Sequence, residues 1–224
     1  MKIQTKAVHA GDRKKAGAHV PSTTPIYTAS SYTYESMEQL DRVFGQEEPG
    51  YCYARYDNPS TAALEEVVTA LESGHGSLAC GSGMAAVHMA LVTALADRRK
   101  SVVAANALYG ASVNLLMNVL EPTGVNIRFA DVCNLDDLRA AVAEAKPGCI
   151  LIESISNPLL RVGQIDRIAE MAREAGAALV VDNTFGTPLL VRPLELGAHF
   201  SVHSLTKYLA GHGDVMGGIV VTDR

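Results

Sequence analysis

The chain has 224 residues, of which 48% are hydrophobic and 19% are charged, and its formal net charge is −5. This length and composition are typical of a globular protein with a sizeable core, and they exclude a disordered chain. The lysines and arginines form no basic stripe, so we expect no nucleic-acid partner. The longest apolar stretch, residues 84–96, is too short to span a bilayer and contains His88, so we expect no membrane association.

The start of the chain and its cysteines indicate where the protein resides. Residues 1–9 lack the apolar core of a signal peptide, so we expect a cytoplasmic protein. The four cysteines show no C-x-x-C spacing, which disfavours both a zinc site and a disulfide framework. We therefore expect buried, reduced thiols at Cys52, Cys80, Cys133 and Cys149.

The first part of the chain, residues 1–60, differs from the rest. Its prolines and its many Ser, Thr and Tyr residues predict an extended segment that wraps over something else. A neighbouring subunit is the surface on which we expect it to pack.

Residues 61–224 alternate helical and strand patterns, which predicts an α/β domain with a mainly parallel sheet flanked by helices. The first helix has Asn58-Pro59 as its cap and first residue, and it ends at Gly74. The next predicted helices span 84–96, with His88 in the core, and 111–120, 135–145 and 165–175. The predicted strands span 101–105, 126–129, 149–152, 178–181, 200–203 and 218–221.

An amine and a carboxylate each lie just beyond one of these strands. Lys207 follows strand 200–203, and Asp182 follows strand 178–181. A lysine can form a Schiff base with an aldehyde, and an aspartate can keep a pyridine nitrogen protonated, so the pair suggests pyridoxal 5'-phosphate (PLP). Further polar residues follow other predicted strands and should lie at the same edge of the sheet, where parallel sheets bind their ligands. They are Tyr109, Glu153, Asn157, Ser204 and Thr206.

A glycine-containing turn, Gly81-Ser82-Gly83-Met84, opens the helix at 84–96. Small residues there let backbone N–H groups approach an anion at the positive end of the helix, so a phosphate fits. The run Gly81-x-Gly83-x-x-Ala86 also matches a dinucleotide fingerprint. That alternative is disfavoured because the next strand ends at Ala105-Asn106, without the acidic residue that would meet a ribose.

Two histidines and an aspartate near Lys207 raise the question of a metal site. His203, His212 and Asp214 match no common ligand spacing, and we therefore predict no metal there.

Together these motifs resemble the Cys/Met-metabolism PLP enzymes, the family of cystathionine γ-synthase, cystathionine γ- and β-lyases, methionine γ-lyase and O-acetylhomoserine sulfhydrylase. The resemblance runs along nearly the whole chain in the family's order. The motifs that carry it are Tyr53-x-Arg55-x-x-Asn58-Pro59, Gly81-Ser82-Gly83-Met84, Tyr109-Gly110, Glu153-x-x-x-Asn157-Pro158, Asp182-Asn183-Thr184, Ser204-x-Thr206-Lys207-Tyr208 and Gly211-His212-x-Asp214.

The resemblance implies a fold and a set of roles. The fold would be the large domain of the fold type I, aspartate-aminotransferase-like PLP enzymes. Lys207 would bind the cofactor covalently and shuttle protons, Asp182 would pair with the pyridine nitrogen, and Tyr109 would stack on the ring and assist proton transfer. Asn157 would lie near the phenolic oxygen, and Glu153 would be a structural hydrogen-bonding group. The phosphate would be held by Ser82, Gly83, Met84, Ser204 and Thr206.

The resemblance also implies that the active site is shared between subunits. Tyr53 and Arg55 would reach across to the phosphate of a neighbouring subunit, so the expected assembly is a homodimer or a dimer of dimers, that is, a homotetramer.

The implied activity is sulfur amino-acid metabolism, by β/γ-elimination or γ-replacement on cystathionine or O-acyl-homoserine type substrates. We rank a cystathionine γ-synthase-like enzyme first, with cystathionine γ-lyase and O-acetylhomoserine sulfhydrylase as alternatives. Methionine γ-lyases commonly carry cysteine where this chain has Ala111, which disfavours that activity. Ile155 replaces a common proline, and we expect this to alter only the loop backbone.

The family continues into a C-terminal domain that supplies an arginine for the substrate carboxylate, and Arg224 is the last residue here. We therefore expect the chain alone to turn over poorly, and a non-catalytic PLP-binding or oligomerising paralogue is the alternative of another class.

Overall fold

A computed structural model describes residues 1–11 and 20–223 of the chain. Contacts divide the chain into two compact units, Met1–Ala70 and Leu71–Arg224. The expected packing of residues 1–60 on a neighbouring subunit stays a prediction.

In the first unit, helices interrupt an otherwise irregular chain. They are α1 (Ile3–His9), α2 (Met37–Phe44) and α3 (Pro59–Glu72), whose last two residues belong to the second unit. Asn58 Oδ1 accepts a hydrogen bond from the N–H of Ser60 at 2.8 Å. This confirms the predicted cap, in which an asparagine satisfies an N–H group that the first helical turn leaves unpaired.

The described part of the second unit contains a seven-stranded sheet with the order β1-β7-β6-β5-β4-β2-β3. β2 to β6 are parallel to their neighbours in this group, whereas β7 is antiparallel to both β6 and β1. The predicted α/β class with a mainly parallel sheet is confirmed. The strands are β1 (Gly76–Cys80), β2 (Ser101–Ala105), β3 (Asn126–Ala130), β4 (Cys149–Glu153), β5 (Ala178–Asp182), β6 (Phe200–Ser204) and β7 (Gly218–Thr222).

Helices connect the strands. They are α4 (Gly83–Leu95), α5 (Gly110–Leu115), α6 (Leu135–Ala145), α7 (Ile165–Ala175) and the single turn α8 (Thr187–Leu190). The predicted helix at 111–120 is α5 followed by a π-helical turn, Leu116–Leu120. Gly176 ends α7 with a φ of +65°, a conformation that glycine adopts without steric cost.

The core of this unit lies between the sheet and its helices. Every residue of β2 and β4 is buried, as expected for central strands of a sheet covered on both faces. The prediction of buried thiols is confirmed for Cys149 alone among the four, because Cys133 is exposed and Cys52 and Cys80 are partly buried. The prediction that His88 lies in the core is wrong, since its side chain is on the exposed face of α4. An apolar stretch predicts the helix but not which of its residues face the solvent, and Cys133 lies in a turn.

A buried polar cluster is formed by Glu72, the last residue of α3, with Asn183, which directly follows β5, and with Ser201 and His203 in β6. The Oε1 atom of Glu72 accepts hydrogen bonds from Asn183 Nδ2 at 3.0 Å and Ser201 Oγ at 3.0 Å, and it lies 2.6 Å from His203 Nε2. All four side chains have no exposed surface. We call this group the Glu72 cluster; it gives His203 a partner other than His212 or Asp214.

None of the helices among the described residues is long and apolar enough to cross a membrane.

Candidate functional site

The sheet changes winding direction between β2 and β4. These strands are neighbours, but after β2 the chain proceeds to β3 at one edge, and after β4 it proceeds to β5 on the other side. The loops that leave two such strands diverge, so a crevice opens beyond their carboxyl ends, where α/β proteins bind ligands. The local geometry thus favours a site between the loops that follow β2 and β4.

A pocket of about 220 Å³ lies at this edge of the sheet. It is lined by loop and helix residues that follow β1, β2, β4, β5 and β6, and by the last residues of some of these strands. The lining side chains are Ser82, Gly83, Met84, Tyr109, Glu153, Ile155, Asn157, Asp182, Thr184, Phe185, Ser204, Thr206, Lys207 and Met216.

One side of the pocket is formed by the N-terminus of α4. Ser82 caps this helix, since its Oγ accepts a hydrogen bond from the N–H of Ala85 at 3.1 Å. A Cβ atom on Gly83 would lie 2.6 Å from Ser204 Cβ, so glycine is needed for the helix end to approach β6 so closely. Two serine hydroxyls and the N–H groups of a helix N-terminus therefore face the same pocket, an arrangement suited to an anion.

Asp182 supplies a carboxylate at the end of β5. Its Oδ1 accepts hydrogen bonds from Thr184 N at 3.0 Å and Thr184 Oγ1 at 2.5 Å, and Thr184 Oγ1 in turn accepts from Ser204 N at 2.8 Å. Burial raises the pKa of Asp182, while the hydrogen bonds from Thr184 and the charge of His203 act in the opposite direction. A buried carboxylate of this kind is stabilised by a cationic partner.

Glu153, the last residue of β4, supplies a second carboxylate, which is 6% exposed. Its Oε1 accepts a hydrogen bond from the N–H of Tyr109 at 2.6 Å, and its Oε2 accepts one from the N–H of Asn157 at 2.8 Å. Burial is the largest influence on this group and raises its pKa to about 7, although both amide hydrogen bonds lower it and the charge of Asp182 raises it further.

Lys207 lies on the loop that joins β6 to β7. Three hydrogen bonds with Gly217 close the base of this loop. The Gly217 carbonyl accepts from Leu205 N and from Thr206 Oγ1, and the Gly217 N–H donates to Thr206 Oγ1. Lys207 itself is exposed. The sheet thus fixes the start of the loop, while the amine stays accessible from the pocket.

The structure brings most of the predicted site residues together in this pocket. These are Ser82, Gly83, Met84, Tyr109, Asn157, Asp182, Ser204, Thr206 and Lys207. The other two, Tyr53 and Arg55, belong to the first unit, where both are exposed and the Arg55 guanidinium lies 5.2 Å from the centre of the Tyr53 ring. Their reach to a neighbouring subunit stays a prediction.

Several lining residues were not among the predicted site residues: Glu153, Ile155, Thr184, Phe185 and Met216. A signal existed for Thr184, because an aspartate followed two residues later by a threonine is typical of a side-chain-capped turn. Phe185 packs edge-on against Tyr208, with ring centres 5.9 Å apart. Nothing in the sequence around Met216 indicates that it reaches the pocket.

Comparisons with known proteins agree with this geometry. The family model "Cys/Met metabolism PLP-dependent enzyme" matches residues 4–224. The chain is 41% identical to the L-methionine gamma-lyase of Pseudomonas putida over 219 residues, which cover 97% of this chain and 54% of that protein. It is 39% identical to the homocysteine synthase of Schizosaccharomyces pombe over 220 residues, which cover 98% of this chain and 51% of that protein.

Among solved structures, a cystathionine gamma synthase from Xanthomonas oryzae pv. oryzae in complex with cystathionine superposes with a TM-score of 0.88 and 35% sequence identity. The match covers 100% of this chain and 55% of that one. The chain therefore spans about half the length of the relatives that it matches.

Proposed function

The chain belongs to the Cys/Met metabolism PLP-dependent enzyme family, and we propose that it holds PLP in the pocket at the carboxyl edge of the sheet as part of a sulfur amino-acid enzyme. The observation that supports this most directly is the convergence in one pocket of an accessible amine, a buried carboxylate and the anion-binding end of a helix.

The residues of the pocket fit the chemical groups of PLP. A phosphate dianion would be held by the hydroxyls of Ser82 and Ser204 and by the N–H groups of Gly83 and Met84 at the start of α4. Thr206 lines the same side, but its hydroxyl is hydrogen-bonded to the backbone of Gly217. Thr206 would therefore hold the Lys207 loop in place as well as line the side of the pocket that takes the phosphate.

The ring would lie between Tyr109 and the carboxylate of Asp182. Asp182 would hold the proton on the ring nitrogen, and the protonated ring would in turn be a cationic partner for the buried carboxylate. Asn157 would donate to the phenolic oxygen, and the Tyr109 ring would pack on the flat heterocycle. Bound PLP supplies an electron-withdrawing ring that stabilises negative charge beside the substrate's amino group.

The proton transfers would be carried out by this chain's own side chains. Lys207 Nζ would hold the cofactor until substrate arrives, and it would then take up and return protons at Cα and Cβ of the substrate. Tyr109 would assist these proton transfers, since it lines the same pocket. Asp182 would orient the ring and would not exchange a proton with the substrate.

The reaction that we propose is γ-replacement of the cystathionine γ-synthase type, on an O-acyl-homoserine with a thiol as the incoming group. In favour of this choice, the sequence identity to a cystathionine gamma synthase is 35%, above the 32% to a cystathionine gamma-lyase and the 30% to a putative O-acetylhomoserine (thiol)-lyase whose folds match equally well. The second candidates are an O-acetylhomoserine sulfhydrylase, in which sulfide instead of a thiol would be the incoming group, and a cystathionine γ-lyase. Ala111, where methionine γ-lyases commonly carry cysteine, disfavours methionine cleavage even though the P. putida relative is 41% identical.

The proposed assembly is a homodimer or a dimer of dimers in the cytoplasm. Tyr53 and Arg55 would contact the phosphate of the neighbouring subunit, and their exposure in the first unit leaves their polar atoms accessible for that contact.

The test is the visible absorption spectrum of the purified chain with added PLP. We expect a visible band that borohydride reduction fixes covalently, with the modified peptide containing Lys207. Lys207→Ala should abolish both the band and the modified peptide. The matched control is Lys100→Ala, which removes an exposed lysine just before β2; it should leave both unchanged.

The outcomes separate the alternatives. Modification at Lys207 together with thiol-dependent formation of a thioether from an O-acyl-homoserine supports the γ-replacement enzyme. Release of ammonia and a 2-keto acid without a thiol would instead identify a lyase. A band without turnover, both alone and in a longer form of the protein, would leave a non-catalytic PLP-binding protein. A folded chain that gives no band refutes the proposal.

A further inference from the structure

Glu153 joins the two loops that diverge at the crevice. One of its carboxylate oxygens accepts from Tyr109 N, in the loop after β2, and the other accepts from Asn157 N, in the loop after β4. The side chain is 6% exposed, and it lines the pocket. We call this group, the Glu153 carboxylate with the N–H groups of Tyr109 and Asn157, the Glu153 clasp.

An ionised carboxylate completes the clasp most strongly. It accepts at both oxygens and donates at neither, whereas a protonated carboxyl has an O–H oxygen that is a much weaker acceptor, and a glutamine amide presents a donor at one of the two positions. That donor would face a backbone N–H that also donates. One of the two loops would then lose its hydrogen bond, and the distance between the loops would no longer be fixed.

The two loops carry two residues to which we have assigned cofactor contacts, Tyr109 with the ring and Asn157 with the phenolic oxygen. Tyr109 begins α5, and its backbone N–H is the atom held by Glu153. The N–H of Asn157 is held in the same way by the same carboxylate. The side chain of Glu153 therefore sets both positions at once, although neither of its oxygens needs to contact the cofactor.

We propose that Glu153 is a positioning residue that holds Tyr109 and Asn157 in the geometry that PLP binding requires, and that the clasp opens when its carboxylate takes up a proton. This inference rests on the proposed function, because it assigns the role of Glu153 toward the cofactor of that same pocket.

The surroundings of Glu153 place its protonation close to neutral pH. The titratable groups that share its pocket are Tyr109, Asp182 and Lys207, and His203 acts on Asp182 through its charge. Burial raises the pKa of Glu153 to about 7, against the effect of the two amide hydrogen bonds. The clasp is thus closed well above pH 7 and open well below it.

The experiment measures the dissociation constant of PLP by absorption titration of the whole chain, at pH values from well below to well above 7. The variants are Glu153→Gln, which cannot complete the clasp, and Glu144→Gln, which changes an exposed glutamate of α6. Hydrogen bonds to charged groups are the stronger ones, so we expect Glu153→Gln to weaken PLP binding about tenfold or more at high pH. At low pH its dissociation constant should approach that of the unchanged chain.

The decisive readout is the dissociation constant of Glu153→Gln divided by that of the unchanged chain. In this ratio the effects of groups that titrate in both proteins cancel. A ratio that rises with pH through about 7 supports the proposal. A ratio that is constant at every pH overturns it, since a merely structural glutamate would weaken binding equally throughout. If the unchanged chain binds no PLP, the proposed function itself fails, which is a different result.

Thermal unfolding shows whether Glu153→Gln folds. If it does not, Glu153→Asp replaces it, because aspartate keeps the charge but reaches less far. The expected result is weaker PLP binding that still improves with rising pH. Binding by Glu153→Asp that equals the unchanged chain at every pH would overturn the proposal.

Discussion

The Glu72 cluster and the Glu153 clasp both bury a glutamate in the second unit, but they use it differently. Glu72 interacts through a single oxygen with three side chains, in a region with no exposed surface. Glu153 uses both oxygens, its partners are two backbone N–H groups, and it borders the pocket. One carboxylate connects the last residue of α3 to Asn183 and to two residues of β6, and the other connects two loops.

The two buried glutamates are expected to affect different properties of the protein, its stability and the shape of its pocket. The partners of Glu72 are side chains with no exposed surface, so we expect the Glu72 cluster to contribute mainly to stability. The partners of Glu153 are backbone N–H groups on two divergent loops that border the pocket, so we expect the Glu153 clasp to contribute mainly to the shape of the pocket. The raised pKa of Glu153 shows that burial disfavours its charged form, as is common at functional sites.

The largest expected effect is that of Glu72→Ala. The substitution leaves Asn183, Ser201 and His203 without their shared acceptor in a region without solvent, so the free energy of unfolding should fall by about 3–5 kcal/mol. Denaturant unfolding of the cofactor-free chain measures it. Glu144→Ala is the control; its partner Arg128 lies 3.5 Å away at the surface, and the loss should stay below about 1 kcal/mol. Equal losses for the two variants would contradict the assignment of the Glu72 cluster to stability.

The next effect is the pH dependence that Glu153 gives to the cofactor-free chain. Its pKa is raised from 4.5 to about 7 in the folded state, so between these values the folded chain binds more protons than the unfolded chain. Stability from this group is therefore fully present below pH 4.5 and is lost as pH rises through about 7, by an amount on the order of 3 kcal/mol at most.

Unfolding of Glu153→Gln over the same pH range tests this sign. The variant should lack the Glu153 part of the decline, whereas Glu144→Gln should retain it. A decline of equal size in Glu153→Gln would mean that another group, such as Asp182, is responsible.

The smallest effect concerns the approach of α4 to β6. In Gly83→Ala the new methyl group would lie 2.6 Å from Ser204 Cβ, so the helix end or the strand end must move. We expect a loss of about 1–3 kcal/mol in the free energy of unfolding, and weaker PLP binding because the two serine hydroxyls separate. Gly81→Ala, two residues earlier, has no heavy atom within 4 Å of its new methyl group and should change stability by less than about 0.5 kcal/mol. Similar losses at both positions would contradict the close approach.

The sequence predicts much of the fold because most elements carry a local signal. The helices Leu135–Ala145 and Ile165–Ala175 have the predicted bounds, since a cap or a glycine marks their ends. β1 was missed because Gly76-Ser77 gives it only a short apolar run, and it becomes a strand by pairing with β7. That pairing is a tertiary contact, and no local pattern encodes it.

The sequence also predicts most residues of the candidate site, because their positions after strands are a local signal. Position after a strand places Lys207, Asp182 and Tyr109 at one edge of a parallel sheet, so their convergence follows from topology. The double hydrogen bond of Glu153 depends on the distance between two loops, which spacing along the chain does not reveal. For the same reason the sequence suggested only that Glu153 was a hydrogen-bonding group, without identifying its partners.

The hydrogen bonds between Thr206 and Gly217 close the loop of Lys207 at its base. The segment between them, which includes His212, Asp214 and Met216, is therefore tethered at both ends. Sequence changes or short insertions in that segment can alter what borders the amine, as Met216 does, while the amine keeps its place. During evolution such a loop lets the residues that border the pocket change while Lys207 stays in position.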